Sequence, residues 1–528
     1  MASPRDRLCD AIDAWLRDDA RETVARWRGD PDADDRAAVA RRHERLVGPA
    51  ARELFEEASD RGELRGDERV AVAAWLRARH EAPGRARAAA RVAAILARPV
   101  AHDSDFHAPG ALVARMLTEP HAGRRRAAAR DLGPWLARLE RALRDGLADV
   151  LEAREGARWL RDVPPRPDDL GPEAPGGAPP AGTGDDREEV RAPGDAADAP
   201  GDDPGPLVHR PTASERRALG GAARDPRAAT DDAWAELLER LAHAAGTDLA
   251  HWADLAHALR APALDDRFDP ARRGRRLAAH LAPLGLQQPL SARARAEPAA
   301  TDPLTLRASV VALDVPRDVR VRGGLELGLM AERQSALGVG RALAIALTAP
   351  ALSPLLSRPG AGTVGRAFGG LWAHLHADPI FVERALGLRG ADARAVRELA
   401  LAQELFTLRT EAARAALAAS VDDAGFADVA RESLREAWHL EPDPAMARAL
   451  ALPVERHPGA AVRAARWIPA LHVALRERFD EDWWRNPRTA ELLRAACARG
   501  PTLTVEAWAE ELGADGGALA DRVDELLG

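Results

Sequence analysis

Few side chains in this chain of 528 residues are placed by type and spacing to do chemistry. Gly360, Gly362 and Gly365 reproduce a G-x-G-x-x-G spacing, which after a strand and before a helix lets a pyrophosphate approach the helix N-terminus. The stretch before them carries Pro354 and Pro359 and does not read as a strand, so a plain loop entering a helix is expected. His374 and His376 could share a metal ion only if their rings met, and an i, i+2 pair on a helix points to different sides. They are read as ordinary core or surface histidines. His243, His251 and His257 are spaced 8 and 6 apart, which puts the last two on different helix faces, and they are read as decorating an Ala-rich helix. Cys9 and Cys497 lie at opposite ends with no partner pattern, which excludes a disulfide framework and a cysteine zinc site and points to a reducing compartment. The chain has no H-E-x-x-H, no G-x-S-x-G and no Walker A motif.

The elements that position these residues are mostly helices. Residues 1–162 show apolar side chains at three- and four-residue spacings, such as Leu8, Ile12, Trp15 and Leu16, and are expected to form an all-helical lobe. Residues 163–211 are dominated by Pro, Gly, Ala and Asp, bury too little to offset chain entropy, and are expected to be a disordered acidic insertion. A second helical unit spans 212–528, opened by a capping-box spacing from Thr212 to Glu215. Within it, residues 309–321 hold β-branched side chains around Pro316, Arg317 and Asp318, the one convincing hairpin signal. No fixed-period repeat is present, which disfavours a solenoid.

The order of elements after residue 302 resembles the thimet oligopeptidase and oligoendopeptidase F-like zinc metallopeptidases. In that family a strand pair precedes an H-E-x-G-H-A-L helix, and a second helix supplies a glutamate in a V-T-E-G-F-type context. Here the corresponding stretches read Leu337-Gly338-Val339-Gly340-Arg341-Ala342-Leu343 and Val364-Gly365-Arg366-Ala367-Phe368. His374-Leu375-His376-Ala377-Asp378-Pro379 resembles the family's H-L-x-x-D-P. The stretch 476–488, R-E-R-F-D-E-D-W-W-R-N-P-R, resembles a C-terminal signature of one bacterial subgroup.

The resemblance implies a mainly α, two-lobed, zincin-type fold with a small sheet beside the former active-site helix. It also implies that the zinc-ligand positions hold Leu337, Arg341 and Arg366 and the general-base position holds Gly338. Leu and Gly offer no lone pair and Arg only donors, so neither a catalytic zinc nor proton abstraction is expected, and no cofactor. The family's oxyanion-stabilising tyrosines have no counterpart in 459–467, and the chain has no Tyr at all. The expected function is an inactive peptidase homologue that binds a peptide or protein, with Arg341 and Arg366 as candidate ligand-binding residues for a carboxylate or phosphate. The bland role for the same arginines is an internal salt bridge with acids such as Glu332. The alternatives are a purely structural or protein-interaction role, and a peptidase with an unrecognised site.

Composition narrows the partners. All 75 basic residues are Arg, Tyr is absent and Asn486 is the single Asn, which points to codon bias; with the resemblance to a bacterial subgroup, a high-GC bacterial source is expected. The net charge is -8, of which residues 163–211 supply -7 from 11 acids against 4 Arg, leaving the remainder near -1. Such a balance gives no footing for nucleic acid. The most apolar stretch, 341–356, is interrupted by Pro350 and Pro354, and the N-terminus lacks a signal-peptide pattern, so a cytoplasmic protein with no membrane partner is expected.

Overall fold

The computed structural model describes residues 2–30, 36–103, 105–160, 163, 226–297, 308–323, 328–352, 362–417, 426–451 and 458–514. Except for Val163, the expected insertion at 163–211 lies outside them, as do Thr212, Glu215 and Gly360.

Helix α1 (Pro4–Arg28) starts where Ser3 accepts a hydrogen bond from the Asp6 amide and Pro4 presets the first turn; it stops at Gly29, whose φ of 70° is left-handed. With α2 (Arg36–Arg42), α3 (Pro49–Asp60) and the first half of α4 (Gly66–Leu96) it encloses a core of Leu8, Ile12, Trp15, Phe55, Leu76 and Leu160. The rest of α4 runs along α6 (Ala122–Glu155), with Gly84 against the backbone of Asp149 and Gly146 against Ala88. Only glycine fits at these two points, because a β-carbon at either would meet the opposite helix below contact distance. Between the long helices lie a short hairpin, β1 (Val100–His102) with β2 (Asp105–His107), and α5 (Pro109–Thr118). This hairpin corrects the expectation of an all-helical stretch. Strands of three residues are too short to display a period-two pattern, and the sequence there reads only as a polar break.

The second part of the chain contains α7 (Pro226–Ala229), α8 (Asp231–Ala245), α9 (Trp252–Arg260), α10 (Pro270–Leu281) and α11 (Gln287–Arg293). A three-stranded sheet follows, in the order β3-β5-β4, from β3 (Ala294–Glu297), β4 (Ser309–Asp314) and β5 (Asp318–Arg322). The expected hairpin is β4–β5, antiparallel with Val310 opposite Val321. Strand β3 lies parallel to β5 and was not anticipated: Ala-Arg-Ala-Glu holds no β-branched residue, and pairing rather than propensity makes it a strand.

Then come α12 (Gly328–Ala346), α13 (Thr363–His374), α14 (Pro379–Arg384), α15 (Gly390–Leu417), α16 (Phe426–Trp438) and α17 (Pro444–Ala451). The chain closes on α18 (Pro458–Phe479), α19 (Pro487–Ala498) and α20 (Val505–Leu512). The architecture is mainly α with a small sheet against α12, as expected.

A large core joins α6, α8 and α9 to α15 and α16 through Trp135, Trp234, Leu237, Leu405 and Trp438. Another joins α12 and α13 to α18, α19 and α20 through Leu343, Phe368, Leu475, Leu493 and Trp508. One buried side chain, Arg409, ties helix ends together: it donates to the Ala437 and Glu436 carbonyls at 2.7 and 2.8 Å, at the end of α16, and to Asp231 at 2.8 Å, at the start of α8. That places a cation at the negative end of one helix and beside an acid at the positive end of another. Among the described residues no helix is long and apolar enough to cross a membrane.

Candidate functional site

Helices α12 and α13 cross at their glycines. A β-carbon at Gly340 would stand 2.8 Å from the Gly369 Cα and 3.2 Å from the Phe368 carbonyl oxygen, so the two backbones touch there. This contact accounts for Gly340 inside a helix, where glycine costs up to about 1 kcal/mol relative to alanine. On the other helix, a β-carbon at Gly369 would stand 2.6 Å from the Leu337 carbonyl oxygen and 2.7 Å from the Arg341 Cγ. Leu337 and Arg341, four residues apart, therefore share the face of α12 that lies on α13. Arg366 stands one turn before Gly369 on the same side of α13. Leu337 and Arg341 thus lie at the crossing and Arg366 one helical turn from it, each half-buried, and both arginines have interactions within the protein.

Gly338 turns the other way, towards the sheet. It is buried, and a β-carbon there would stand 2.8 Å from the Ala308 Cβ and 3.4 Å from the Val321 Cγ1. Val321 of β5 and Ala308, next to the start of β4, pack on the helix at this position. Neither neighbour is the far end of a flexible chain, so a larger side chain at 338 requires the sheet to move.

The zinc ion that the resemblance implies can be tested against these donors. Leu337 and Gly338 have no side-chain lone pair, and the guanidiniums of Arg341 and Arg366 stay protonated and only donate. The four positions do not fit a zinc ion or its activated water. Among the described residues no group of three or more His, Cys, Asp or Glu is arranged to hold a metal ion. Glu332, weighed as an internal partner for the arginines, is held by Arg276 at 2.8 and 2.7 Å, with Arg273 at 3.5 Å.

Behind the crossing lies a buried polar network that sequence reading missed. Arg333 of α12 donates to Glu404 at 2.5 Å and to Gln403 at 2.9 Å, both on α15, and the second oxygen of Glu404 meets His374 Nδ1 at 2.8 Å. Burial would raise the Glu404 carboxyl, but His374 and Arg333 outweigh it and hold it below the usual range. The His374 ring packs edge-on to His472, 4.9 Å between centroids, and His472 Nε2 meets Asp378 at 3.0 Å. Trp483 donates to His472 Nδ1 at 3.2 Å, which fixes the proton of that imidazole on Nε2, facing Asp378. Asp378 also caps α14 by accepting from the Phe381 amide at 2.8 Å.

His376 has a different partner, the Ala373 carbonyl at 3.1 Å, so the two histidines of the i, i+2 pair do not share a ligand. The stretch 476–488 does structural work beside them. Asn486 accepts from the Arg488 amide to start α19 and donates to the Phe479 carbonyl at 3.0 Å, while Trp483 reaches into the network. The 459–467 segment is helical, within α18, and its Arg463 binds Glu506 of α20 at 2.8 and 2.6 Å.

No family model matches the chain, and no curated protein matches it in sequence. Solved structures do match in shape. PZ peptidase A with an inhibitor superposes with a TM-score of 0.59 at 10% identity, over 93% of this chain and 83% of that one. A protein assigned as an oligoendopeptidase F gives 0.58 at 12% identity, over 93% and 82%. Another protein so assigned, from Bacillus anthracis str. Ames, gives 0.54 at 10% identity, over 93% and 81%. The fold is the helical metallopeptidase fold. At these identities the likeness concerns fold alone.

Proposed function

We propose that this chain is a metallopeptidase-fold protein without zinc chemistry, which works by holding a peptide or protein. The observation that carries the reading is the α12–α13 crossing. There Leu337 and Arg341 lie against Gly369 of α13, one turn from Arg366, and Gly338, which the resemblance puts at the general-base position, is packed against Ala308 and Val321. A lone-pair acceptor for a water proton has no place at 338, and two cations at the crossing oppose a third. Arg341 and Arg366 already have interactions within the protein, and a guanidinium, with five donors, can add to them a carboxylate such as a peptide C-terminus.

The test combines three measurements on the purified full chain: zinc retained after dialysis against excess metal, turnover of a mixed peptide library, and calorimetric titration with peptides bearing a free C-terminal carboxylate. The expected outcome is no stoichiometric zinc, no cleavage, and binding heat that Arg341→Ala weakens by about 10–100-fold, the worth of one charge-assisted hydrogen bond. Stoichiometric zinc or cleavage would refute the loss of chemistry. Absence of heat with the wild-type chain would refute the ligand.

A further inference from the structure

The sheet beside α12 has two unlike faces. Val321 points to Gly338, so alternation along β5 sends Arg320 and Arg322 to the opposite face, in the same row as Glu297, which pairs with Arg322 in register. That outer face is covered by the end of α1, which meets β4 and β3. The contact is made of charge. Arg28, in the last turn of α1, binds Glu297 through two hydrogen bonds of 2.7 Å each, and Arg320 reaches the same carboxylate from the sheet side at 2.7 Å. Arg322 lies over the Trp27 ring, 5.8 Å from its centroid, with its Nε buried and lacking a hydrogen-bond acceptor among the described residues. In the last three turns of α1 the buried apolar side chains are only Ala20 and Val24.

The unit behind that contact is self-sufficient. Its core draws on residues 8–78 and 157–163 and on none later in the chain, and it is joined to the body by the long α4–α6 pair. A unit with its own core, a polar contact and a long helical stem is the arrangement in which relative motion is the default.

We infer that residues 2–82, together with 157–163, which share their core, form a cap that docks reversibly on the outer face of the sheet, with Glu297 as the clasp shared between Arg28 of the cap and Arg320 of the sheet. Docking fixes β4 from one side while α12 packs on the other, so the clasp also sets how firmly the sheet is held against Gly338. Removing the shared carboxylate leaves Arg28 and Arg320 facing each other, and the cap swings off as a unit.

The test is hydrogen–deuterium exchange of the full chain in wild type, Glu297→Gln and Arg28→Gln, at low and high salt. Both substitutions are expected to speed exchange in peptides covering 22–30 and 309–322 by about tenfold, the scale for removing one partner of a half-buried ion pair. Peptides covering 49–60 and 66–80, inside the cap, keep wild-type rates. High salt speeds the same clasp peptides in wild type and leaves the two variants unchanged. Asp318→Asn, which removes a partner of Arg320 but leaves the Arg28–Glu297 pair, keeps the clasp closed. Unchanged exchange at 22–30 in both clasp variants overturns the proposal, and so does equal acceleration inside the cap, which would mean that the cap unfolds instead of undocking.

Discussion

At the scale of single residues, the glycines at the candidate site separate two kinds of cost. Gly338 and Gly365 both lie in helices, but a β-carbon at 338 would meet Ala308 at 2.8 Å, whereas one at 365 would meet nothing within 4 Å. Gly365→Ala is expected to stabilise the fold by about 0.5–1 kcal/mol, the helix-propensity gain alone. Gly338→Ala carries the same gain set against overpacking of about 1–3 kcal/mol, so it is expected to destabilise. Urea midpoints of the two variants decide the matter; a Gly338→Ala chain as stable as Gly365→Ala would show that the sheet yields freely there. The contrast bears on the proposed function, because a carboxylate side chain can be placed at position 338 only if Ala308 retreats.

At the scale of elements, the packing of α10 against the α13–α14 turn makes a pH response. Phe381 of α14 is flanked by His280 of α10 at 4.8 Å and His376 at 5.5 Å, measured between ring centroids. Burial pushes each imidazole down to about 4, with Arg276 adding to the effect at His280 and Arg333 at His376, while Glu332 opposes both. In the unfolded chain these histidines take up protons near pH 6.5, and in the folded chain they stay neutral until about pH 4. Stability is therefore fully present above about pH 6.5 and falls as the pH drops towards 4, by at most ~1.4 kcal/mol per pH unit for each histidine. Urea titrations at pH 7 and pH 5 should show a smaller loss for His376→Gln than for wild type; identical losses would place the acid sensitivity elsewhere. This part of the structure also shows what the sequence could not reveal. The long helices and the β4–β5 hairpin were legible because apolar spacing and β-branched runs are local signals, and Gly340 was legible as a costly choice that needed a reason. The partner that supplies the reason, Gly369, sits on another helix. Strands β1, β2 and β3 are too short or too poor in β-branched residues to announce themselves, and the partners in the His374–Glu404 and His472–Asp378 pairs stand 30 and 94 residues apart, beyond any spacing rule.

At the scale of the whole molecule, most of the net charge lies in one segment outside the described residues. Residues 171–211 contain 9 acids and 3 Arg, so they carry -6 of the net -8. The described chain on either side is anchored without them. Before the segment, Arg77 donates to the carbonyls of Leu160 and Val163; after it, Arg227 donates to Ser433 Oγ at 2.9 Å, and its own carbonyl accepts from Arg409 at 2.6 Å. Removing residues 171–211 leaves both anchors in place and shortens the connection between them, which changes loop-closure entropy by only about 1 kcal/mol in favour of the folded state. The deletion variant is therefore expected to melt at or slightly above the wild-type temperature, while its net charge moves from -8 to -2 and its elution from an anion exchanger shifts to lower salt. Peptide binding at the α12–α13 crossing should survive the deletion, because the crossing draws its charge from Arg341 and Arg366. If the melting temperature collapses instead, the segment is part of the folded core. If melting is kept but proteins that co-purify with the full chain are lost, the segment is where partners attach, and the crossing and the acidic segment are two separable binding functions on one scaffold.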